Sequence, residues 1–367
     1  MARGERVRVV ALEEYAGLAA SSGAEFLGVP GSIADALDDR RRNRLVAATQ
    51  GGQLWLLHRW TGRLAPAFAD ALLDAIRPGD CVVTGILTRG SVAALAATRG
   101  VRMATVAFTG QLPTVHPASN VAHSYYTGAA RHDRRGSVFG WRLATALGGP
   151  LTATVRARLG LARSGPSAVT AGADEHPVLL AASPVLVPPA PDWPANAVQT
   201  GWWAPAASDV TPDPAFDDWL RGEPPVHVGF GSFTGFATDA DVDLIVRAAK
   251  ASGRRVVTPA LPGHEPGQLS ELVWATGPVP HAWLFPRMAG VIHHGGAGTT
   301  HAALAAGIPQ AMVPFGVDQP YHAWRVRRLE LGPEPVSIQR LTAGRLGRLI
   351  RLLTTDADAR RRAAEIG

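Results

Sequence analysis

The sequence predicts an α/β protein made of two Rossmann-like domains, each a parallel sheet with helices on both faces. Strand-like apolar runs alternate with helical patterns through most of the 367 residues, which is typical of parallel strands joined by helical crossovers. A chain of this length is long for one domain and suits two of ordinary size. A proline-rich stretch over 187–225, whose composition indicates an inter-domain linker, separates two such series. We therefore place the domains at 1–204 and 205–367.

The first series consists of short apolar runs, with helices that end at glycine or proline. The predicted elements are a strand at 7–10, a helix at 15–22, a strand at 26–29, a helix at 63–76, a strand at 81–83, a helix at 91–98 and a strand at 103–106. The single cysteine, Cys81, excludes an intramolecular disulfide and a cysteine-built metal site, and we expect it to be a small buried apolar residue. Residues 110–150 show no clear period, so we expect a long irregular surface segment, and loops of that length usually have a function.

Composition excludes several classes of protein. The sequence has neither a long uninterrupted apolar run nor the apolar core of a signal peptide, so we expect a soluble cytoplasmic protein without a membrane span. The net charge is +6, but the arginines that carry it are scattered and no nucleic-acid recognition motif accompanies them. We therefore expect no nucleic-acid partner, and assign to this charge the attraction of a doubly negative small molecule.

The second series begins near Val226 and contains the most informative segment of the chain, 293–300. Apolar Gly290–Ile292 predicts a strand that leads into three glycines, and the helix after them ends at Gly307, with a proline beyond. Such a turn directs backbone N–H groups and the positive end of the helix dipole at an anion, most often a phosphate. His294 and the hydroxyls of the two threonines, Thr299 and Thr300, add side-chain donors.

About 20 residues further on, Asp318-Gln319 supplies an acceptor and an amide that suit sugar hydroxyls. Together the two segments predict a site for a sugar joined to a diphosphate. The glycine turn is neither a Walker loop, since no Gly-Lys-Ser/Thr follows it, nor the dinucleotide-binding fingerprint.

With 277–286, 226–232 and 197–201, these segments resemble the donor-binding half of the family-one glycosyltransferases, and most of all the bacterial antibiotic, macrolide and sterol branch. The resemblance implies the GT-B fold, in which an N-terminal acceptor-binding domain and a C-terminal nucleotide-sugar-binding domain face each other across a cleft. It implies an inverting transfer from a dTDP- or UDP-sugar to a hydroxyl of a lipophilic natural product such as a polyketide, glycopeptide or sterol. No metal or other cofactor is expected, and acceptor binding would fall to the irregular segment at 110–150.

The resemblance also assigns roles to individual residues. The diphosphate would be bound by His294, Gly295, Gly296, Gly298, Thr299 and Ser232, the nucleobase by Val279 and Pro280, and the sugar by Asp318 and Gln319. His293 is either structural or functional, and Asp318 could also cap the helix that follows it. Plant relatives carry a tryptophan that stacks on uracil and a glutamate that binds both ribose hydroxyls; the matching positions here are Pro278 and Ala302. Both departures weaken the case for UDP and leave room for dTDP.

Two expectations concern what the sequence lacks. In the resembling enzymes a strand and a helix precede the segment at which this sequence starts, so we expect a first βα unit of about 20 to 25 residues to be missing from the N-terminal domain. The family's general base lies in that unit, and His58, His116, His123 and His132 fall in segments that do not match, so no base is assigned. An alternative is a catalytically silent nucleotide-sugar-binding partner of another transferase. A GT-B epimerase is disfavoured because such an enzyme usually needs catalytic carboxylates near the sugar and the sequence offers none beside Asp318, and whether the chain forms a homodimer is left open.

Overall fold

A computed structural model describes residues 5–20, 22–47, 49–162, 175–205, 212–230, 239–260 and 264–367. Ser232, which the sequence singles out as a diphosphate ligand, lies outside these residues. The chain divides into two compact units, Met1–Ala181 with Pro189–Thr200, and Ala182–Pro188 with Gly201–Gly367. It therefore passes between the units three times, near 181, 188 and 200. The proline-rich stretch is not a plain linker, because it contributes a strand to one unit and a helix to the other.

The first unit contains two parallel sheets. A two-stranded sheet pairs β1 (Arg8–Leu12) with β2 (Glu25–Val29). A four-stranded sheet has the order β3 (Cys81–Gly85), β4 (Arg102–Ala107), β5 (Val178–Leu180) and β6 (Ala197–Gln199). The helices are α1 (Ala16–Ala20), α2 (Ile33–Arg42), α3 (Arg44–Ala47), α4 (Gln50–Ala75), α5 (Arg89–Arg99), α6 (Ala130–Ala146) and α7 (Gly149–Arg158).

The predicted strands of this unit are confirmed, and two of the longer predictions are wrong. The helix predicted at 63–76 begins at Gln50, because the Thr49 hydroxyl accepts a hydrogen bond from the Gly52 N–H at 3.0 Å and caps its first turn. The segment predicted to be irregular over 110–150 is helical from Ala130, since α6 and α7 occupy most of its second half. Its glycines and arginines hid the helical period of α6, whose buried residues include Trp141.

The prediction that Cys81 is buried is also wrong, because the thiol is exposed. In the described part of the chain β3 pairs with β4 alone. One face of β3, which carries Cys81 and Val83, is open, and Val83 is 55% exposed. The side chains of Arg8 and Asp80, near the starts of β1 and β3, form an ion pair at 2.7 Å.

The second unit is built on one six-stranded sheet. Its strands are β7 (Val226–Gly229), β8 (Val256–Pro259), β9 (Gly267–Ser270), β10 (Val273–Thr276), β11 (Gly290–His293) and β12 (Gln310–Met312). The order is β12-β11-β7-β8-β10-β9, and only the pairing of β9 with β10 is antiparallel. The helices are α8 (Pro214–Leu220), α9 (Asp239–Ser252), α10 (His281–Leu284), α11 (Ala297–Ala305), α12 (Gln319–Arg328), α13 (Ala343–Thr355) and α14 (Ala357–Ile366).

Apolar side chains cover both faces of this sheet, which is why its strands read as continuous apolar runs. On one face Val226 and Val228 pack against Ile350 of α13 and its neighbours on α9. On the other face Val291 packs with apolar residues of α8, α10 and α11, and with Phe285, which directly follows α10. The second unit is thus the doubly covered α/β layer that the sequence predicts. Among the described helices none combines the length and the apolar character needed to cross a bilayer.

Close backbone packing at Gly332 supplies a test of this fold. A Cβ at this position would lie 1.8 Å from the carbonyl oxygen of Gln310, which is backbone and cannot move aside. We expect Gly332→Ala to lower the free energy of unfolding by about 3 kcal/mol, measured by urea denaturation. Gly344→Ala is the matched control, because a methyl group there meets nothing within 4 Å and helix propensity favours alanine by up to about 1 kcal/mol. Equal stability of the two variants would contradict the backbone approach described here.

Candidate functional site

The predicted site segments meet at one edge of the six-stranded sheet. Strands β10, β11 and β12 run in the same direction, so the loops at their carboxyl ends lie at a common edge, where ligands of such sheets bind. The loop after β10 contains 277–280, the loop after β11 contains 294–296, and the loop after β12 contains 313–318. From the sequence we predicted that the first of these loops binds a nucleobase, the second a diphosphate and the third a sugar.

The glycine turn and the start of α11 have the geometry of an anion-binding helix N-terminus. Gly295 has φ +92°, a left-handed conformation that favours glycine, and Gly296 is the residue before the helix. The N–H groups of the first turn have no partners within the helix. The helix is anchored by buried Ala303 and Leu304 and ends before Gly307, at φ +64°. The predicted strand, turn and helix are confirmed.

His293 is structural. Its side chain is fully buried, Nδ1 accepts a hydrogen bond from the Gly295 N–H at 3.1 Å, and Nε2 lies 3.0 Å from Oε1 of Gln310. Because Nδ1 accepts, the proton is on Nε2, which donates to Gln310. The Gln310 amide in turn donates to the Thr300 carbonyl at 3.3 Å. Burial lowers the pKa of His293 to about 3, so the ring is neutral and holds the turn against the helix.

His294 lies over the glycine turn, and its role as a diphosphate ligand stays a prediction. It is 7% exposed, and a Cβ at Gly296 would come within 2.4 Å of its Nε2. Burial, with smaller contributions from His322 and His281, lowers its pKa to about 4. The side chain is therefore a neutral N–H donor near pH 7 rather than a cation.

The two threonines of α11 have different roles. The Thr300 hydroxyl donates to the Gly296 carbonyl at 2.8 Å, so it is used within the helix and the expectation that it adds a ligand donor is wrong. Thr299 is one position earlier and partly exposed, and its role as a ligand donor stays a prediction. Ser232 lies outside the described residues, and its role stays a prediction.

The Asp318-Gln319 pair lies beside the glycine turn. A Cβ at Gly295 would come within 3.1 Å of the Gln319 carbonyl oxygen. Side-chain Oε1 of Gln319 accepts from the N–H groups of Phe315 at 2.7 Å and Gly316 at 3.2 Å, so its NH₂ group is the part that can bind a ligand. Asp318 precedes α12 but its side chain makes no capping hydrogen bond, which removes the capping alternative.

His322 is a site residue that the sequence analysis missed. It is fully buried on α12, its Nδ1 donates to the Gly295 carbonyl oxygen at 2.6 Å, and the Asp318 carboxylate lies 3.9 Å away. Burial lowers its pKa, and the carboxylate opposes that shift. The four-residue spacing from Asp318 was the available signal, because such pairs share one face of a helix.

Of the two residues predicted to bind the nucleobase, Val279 has a backbone N–H and Pro280 has none. The Pro280 carbonyl accepts from the N–H groups of Trp283 and Leu284 at 3.0 Å each. The predicted contact at Pro280 is therefore limited to its ring, and backbone pairing falls to Val279. Behind this loop His281 stacks on Phe285, with ring centroids 4.2 Å apart, and buried His227 lies 6.1 Å from His281.

No cluster of three or more His, Cys, Asp or Glu side chains is placed to hold a metal ion in the described ranges. Metal independence stays a prediction. The four histidines considered as a general base lie in the first unit, and of these His116 is 3.9 Å from the carboxylate of Asp192.

Comparison with known proteins connects this geometry with glycosyl transfer. Residues 244–367 match the family described as erythromycin biosynthesis protein CIII-like, C-terminal domain. O-mycaminosyltylonolide 6-deoxyallosyltransferase of Streptomyces fradiae is 35% identical over 52% of this chain and 45% of its own length. Vancomycin aglycone glucosyltransferase of Amycolatopsis orientalis is 44% identical over 44% of this chain and 39% of its own. A sterol 3-beta-glucosyltransferase of Arabidopsis thaliana is 35% identical over 47% of this chain and 28% of its own. The matches thus span less than half the length of these relatives.

Solved structures show the same fold over the whole chain. The kitacinnamycin glycosyltransferase superposes with a TM-score of 0.67 at 18% identity, covering 100% of this chain and 87% of its own. The glycosyltransferase VinC, solved in complex with dTDP, superposes with a TM-score of 0.62 at 21% identity, covering 100% and 88%. At these identities the likeness establishes the fold, and the expected GT-B architecture is confirmed.

The contact between His294 and Gly296 gives a prediction about the turn. A methyl group at Gly296 would displace the His294 ring, whereas one at Gly298 meets nothing within 4 Å. We expect Gly296→Ala to lower the unfolding midpoint by several degrees, and Gly298→Ala, two residues on, to leave it unchanged or slightly higher. Differential scanning fluorimetry without ligand measures both. A Gly296→Ala variant as stable as the wild type would contradict the position of the ring.

The buried histidines predict an acid-labile protein. Burial lowers the pKa of His227 and His293 to about 3 and of His294 and His301 to about 4, against about 6.5 in an unfolded chain. Between those values the unfolded chain binds protons that the folded chain does not, so stability is full above about pH 6.5 and is lost as pH falls toward 4. Each such histidine contributes a slope of about 1.4 kcal/mol per pH unit.

Urea denaturation at a series of pH values between 7 and 4.5 measures this slope. His227→Phe removes one titrating ring from an aromatic cluster and should reduce the slope by about one proton. His132→Gln, at an exposed position on α6, is the control and should leave the slope unchanged. Stability that stays constant over this range would contradict the burial of the four rings.

Proposed function

Because the chain belongs to the family-one glycosyltransferases with the GT-B fold, we propose that it transfers a sugar from a nucleoside diphosphate to a hydroxyl of a lipophilic natural product, with inversion at the anomeric carbon. The observation that carries this proposal is the convergence of three loops at one sheet edge, with His294 over the N-terminus of α11. The acceptor class is drawn from the relatives, whose names specify a macrolide precursor, a glycopeptide aglycone and sterols.

The site supplies what the leaving group needs. In an inverting transfer the acceptor hydroxyl loses its proton to a general base and its oxygen forms a bond to the anomeric carbon, while the bond from that carbon to the diphosphate oxygen breaks and the diphosphate gains negative charge; no residue is assigned as the base. The N–H groups of Gly298 and Thr299, the Thr299 hydroxyl and the neutral His294 ring are donors fixed before the reaction. Preorganised donors of this kind stabilise developing charge most effectively, because they do not reorganise when it appears.

The sugar would be held by Asp318 and by the NH₂ group of Gln319. The Asp318 carboxylate makes no capping hydrogen bond to α12. Both of its oxygens can therefore accept hydrogen bonds from sugar hydroxyls. Gln319 has its oxygen occupied by two backbone N–H groups, so its amide presents donors alone. A carboxylate next to an amide donor suits a pair of neighbouring hydroxyls, each of which donates and accepts.

The nucleotide is proposed to be dTDP. Ala302, at the position where plant relatives bind both ribose hydroxyls with a glutamate, is 8% exposed and packs in the core of the second unit. A donor without the 2′-hydroxyl loses nothing there. The dTDP complex of a structural neighbour, VinC, is in keeping with this choice.

A catalytically silent nucleotide-sugar-binding protein is the second candidate, since none of the four first-unit histidines lies in a matching segment and no base is assigned. The two candidates differ in one assay. A transferase converts dTDP-sugar, either by glycosylating a member of a macrolide, glycopeptide and sterol panel or by slow hydrolysis, whereas a silent homologue binds dTDP-sugar and releases it unchanged.

Nucleotide binding tests the donor site itself. At 100 times its dissociation constant, dTDP should stabilise the chain by about 2.7 kcal/mol, more than UDP at equal concentration. His294→Ala should weaken dTDP at least about tenfold, because hydrogen bonds to charged groups contribute about 1.5 to 3 kcal/mol. His132→Ala, an exposed histidine of the first unit, should bind as the wild type does. Isothermal titration calorimetry measures the affinities, and a folded wild-type chain that binds neither nucleotide would overturn the proposal.

A further inference from the structure

The imidazole of His301 contacts both stretches of chain by which the second unit is entered. The first stretch, Ala182–Pro188, belongs to the second unit, and after the excursion through 189–200 the chain re-enters this unit at Gly201. His301 Nε2 accepts a hydrogen bond from the Ser183 N–H at 3.0 Å. The Trp202 ring stacks on the His301 ring, with centroids 5.9 Å apart and planes at 15°.

The second nitrogen of this ring is bonded to the donor helix. His301 Nδ1 lies 2.7 Å from the Ala297 carbonyl oxygen in the first turn of α11. Nε2 must accept, because its partner is an N–H, so Nδ1 carries the proton and donates to Ala297. The ring is 2% exposed, and burial lowers its pKa to about 4, which keeps this tautomer neutral.

A single peptide group connects the carbonyl that His301 binds with an N–H group of the proposed diphosphate site. The Ala297 carbonyl and the Gly298 N–H belong to the same planar unit, and the Gly298 N–H is one of the proposed diphosphate donors. A hydrogen bond that fixes this carbonyl therefore also fixes the direction of that N–H. The bonds run in one sense, from the Ser183 N–H to Nε2, from Nδ1–H to the carbonyl and from the Gly298 N–H to the anion. Hydrogen bonds in such a chain polarise and strengthen one another.

The rest of the 182–188 stretch is also attached to the donor-site helices. Arg325 of α12 donates through Nε to the Leu186 carbonyl at 2.8 Å and through Nη2 to the Val185 carbonyl at 2.9 Å. The Tyr321 hydroxyl donates to the same Leu186 carbonyl at 3.3 Å. Leu186 is fully buried with Leu304 of α11 and other apolar residues.

We propose that His301 is a positioning residue, which relays the state of the donor diphosphate from the Gly298 N–H to Ser183 in the crossing stretch 182–188. An anion at the N-terminus of α11 strengthens the bond between Ser183 and His301, and this bond in turn holds the Gly298 N–H toward the anion. The coupling acts equally in both directions, as linkage requires. The inference rests on the proposed donor site, and it adds a route by which that site and the chain connection between the units affect each other.

Amide hydrogen exchange at Ser183, with dTDP and inorganic pyrophosphate as probes, tests the relay. In the wild type, saturating dTDP should slow exchange of the Ser183 amide at least about fivefold, the factor expected for a gain near 1 kcal/mol. His301→Phe keeps a ring for Trp202 to stack on but removes both hydrogen bonds. In the His301→Phe variant the Ser183 amide should exchange rapidly with or without dTDP, and dTDP should bind about fivefold more weakly than to the wild type.

Two further variants separate a relay from a merely structural role. His301→Gln offers an amide donor and a carbonyl acceptor, and should restore the response of Ser183 to dTDP. Arg325→Lys loosens the stretch at Val185 and Leu186 but leaves the relay intact, and Ser183 should keep its response. A wild type that binds dTDP with no change at Ser183 would overturn the relay alone. A folded wild type that binds neither dTDP nor pyrophosphate would overturn both the relay and the proposed donor site.

Discussion

The proposed donor site depends on buried imidazoles that are neutral and that hold the backbone of the glycine turn. His293 accepts from the Gly295 N–H, His322 donates to the Gly295 carbonyl, and His301 donates to the carbonyl of Ala297. Each bond requires one tautomer, and burial selects the neutral form by lowering each pKa. Because peptide groups are planar, fixing the carbonyls of residues 295 and 297 also sets the directions of the N–H groups of residues 296 and 298.

Neutral rings suit this role better than lysine or arginine would. A cation buried at this depth would need a permanent partner, and a strong ion pair with the diphosphate would hold the product as firmly as it stabilised the departing group. Backbone N–H groups and neutral imidazoles bring no net charge into the protein, and they gain interaction energy as the leaving group gains charge. The consequence is acid sensitivity, because each ring that must stay neutral becomes a proton acceptor when the chain unfolds.

Local patterns in the sequence were sufficient for the strand, glycine turn and helix at 290–307, and for the first four strands of the first unit. Short-range features determine these elements: apolar runs, a left-handed glycine and a C-terminal cap. The residues that hold the turn were missed because their partners come from elsewhere. Gln310 reaches His293 through the register of β11 and β12, and Ser183 reaches His301 across more than a hundred residues of sequence. The hydrophobic periodicity of a single segment does not predict contacts with residues so distant in the sequence.

The errors in the first unit have a related origin. Cys81 lies in an apolar run that is typical of a buried strand. Its exposure depends on which strands and helices cover β3, and this is determined by tertiary structure. The proline-rich stretch was interpreted as a linker from composition, which does not show that Leu186 is buried in one unit while β6 joins the sheet of the other. In both cases burial or pairing was inferred from the residues of the segment alone, although distant residues determine its environment.

The helices that carry the proposed donor ligands are also the helices that hold the crossing stretch 182–188. The N-termini of α11 and α12 carry the proposed diphosphate and sugar ligands, and within about two turns of them His301, Tyr321 and Arg325 bond to the backbone of residues 183–186. So short a separation on a rigid helix leaves little room for one contact to change without the other. The crossing stretch is therefore better regarded as part of the donor-binding unit than as a tether. In the proposed relay, any force on this stretch acts on the same peptide groups that would face the diphosphate, and the energetic effect in each direction has the same size.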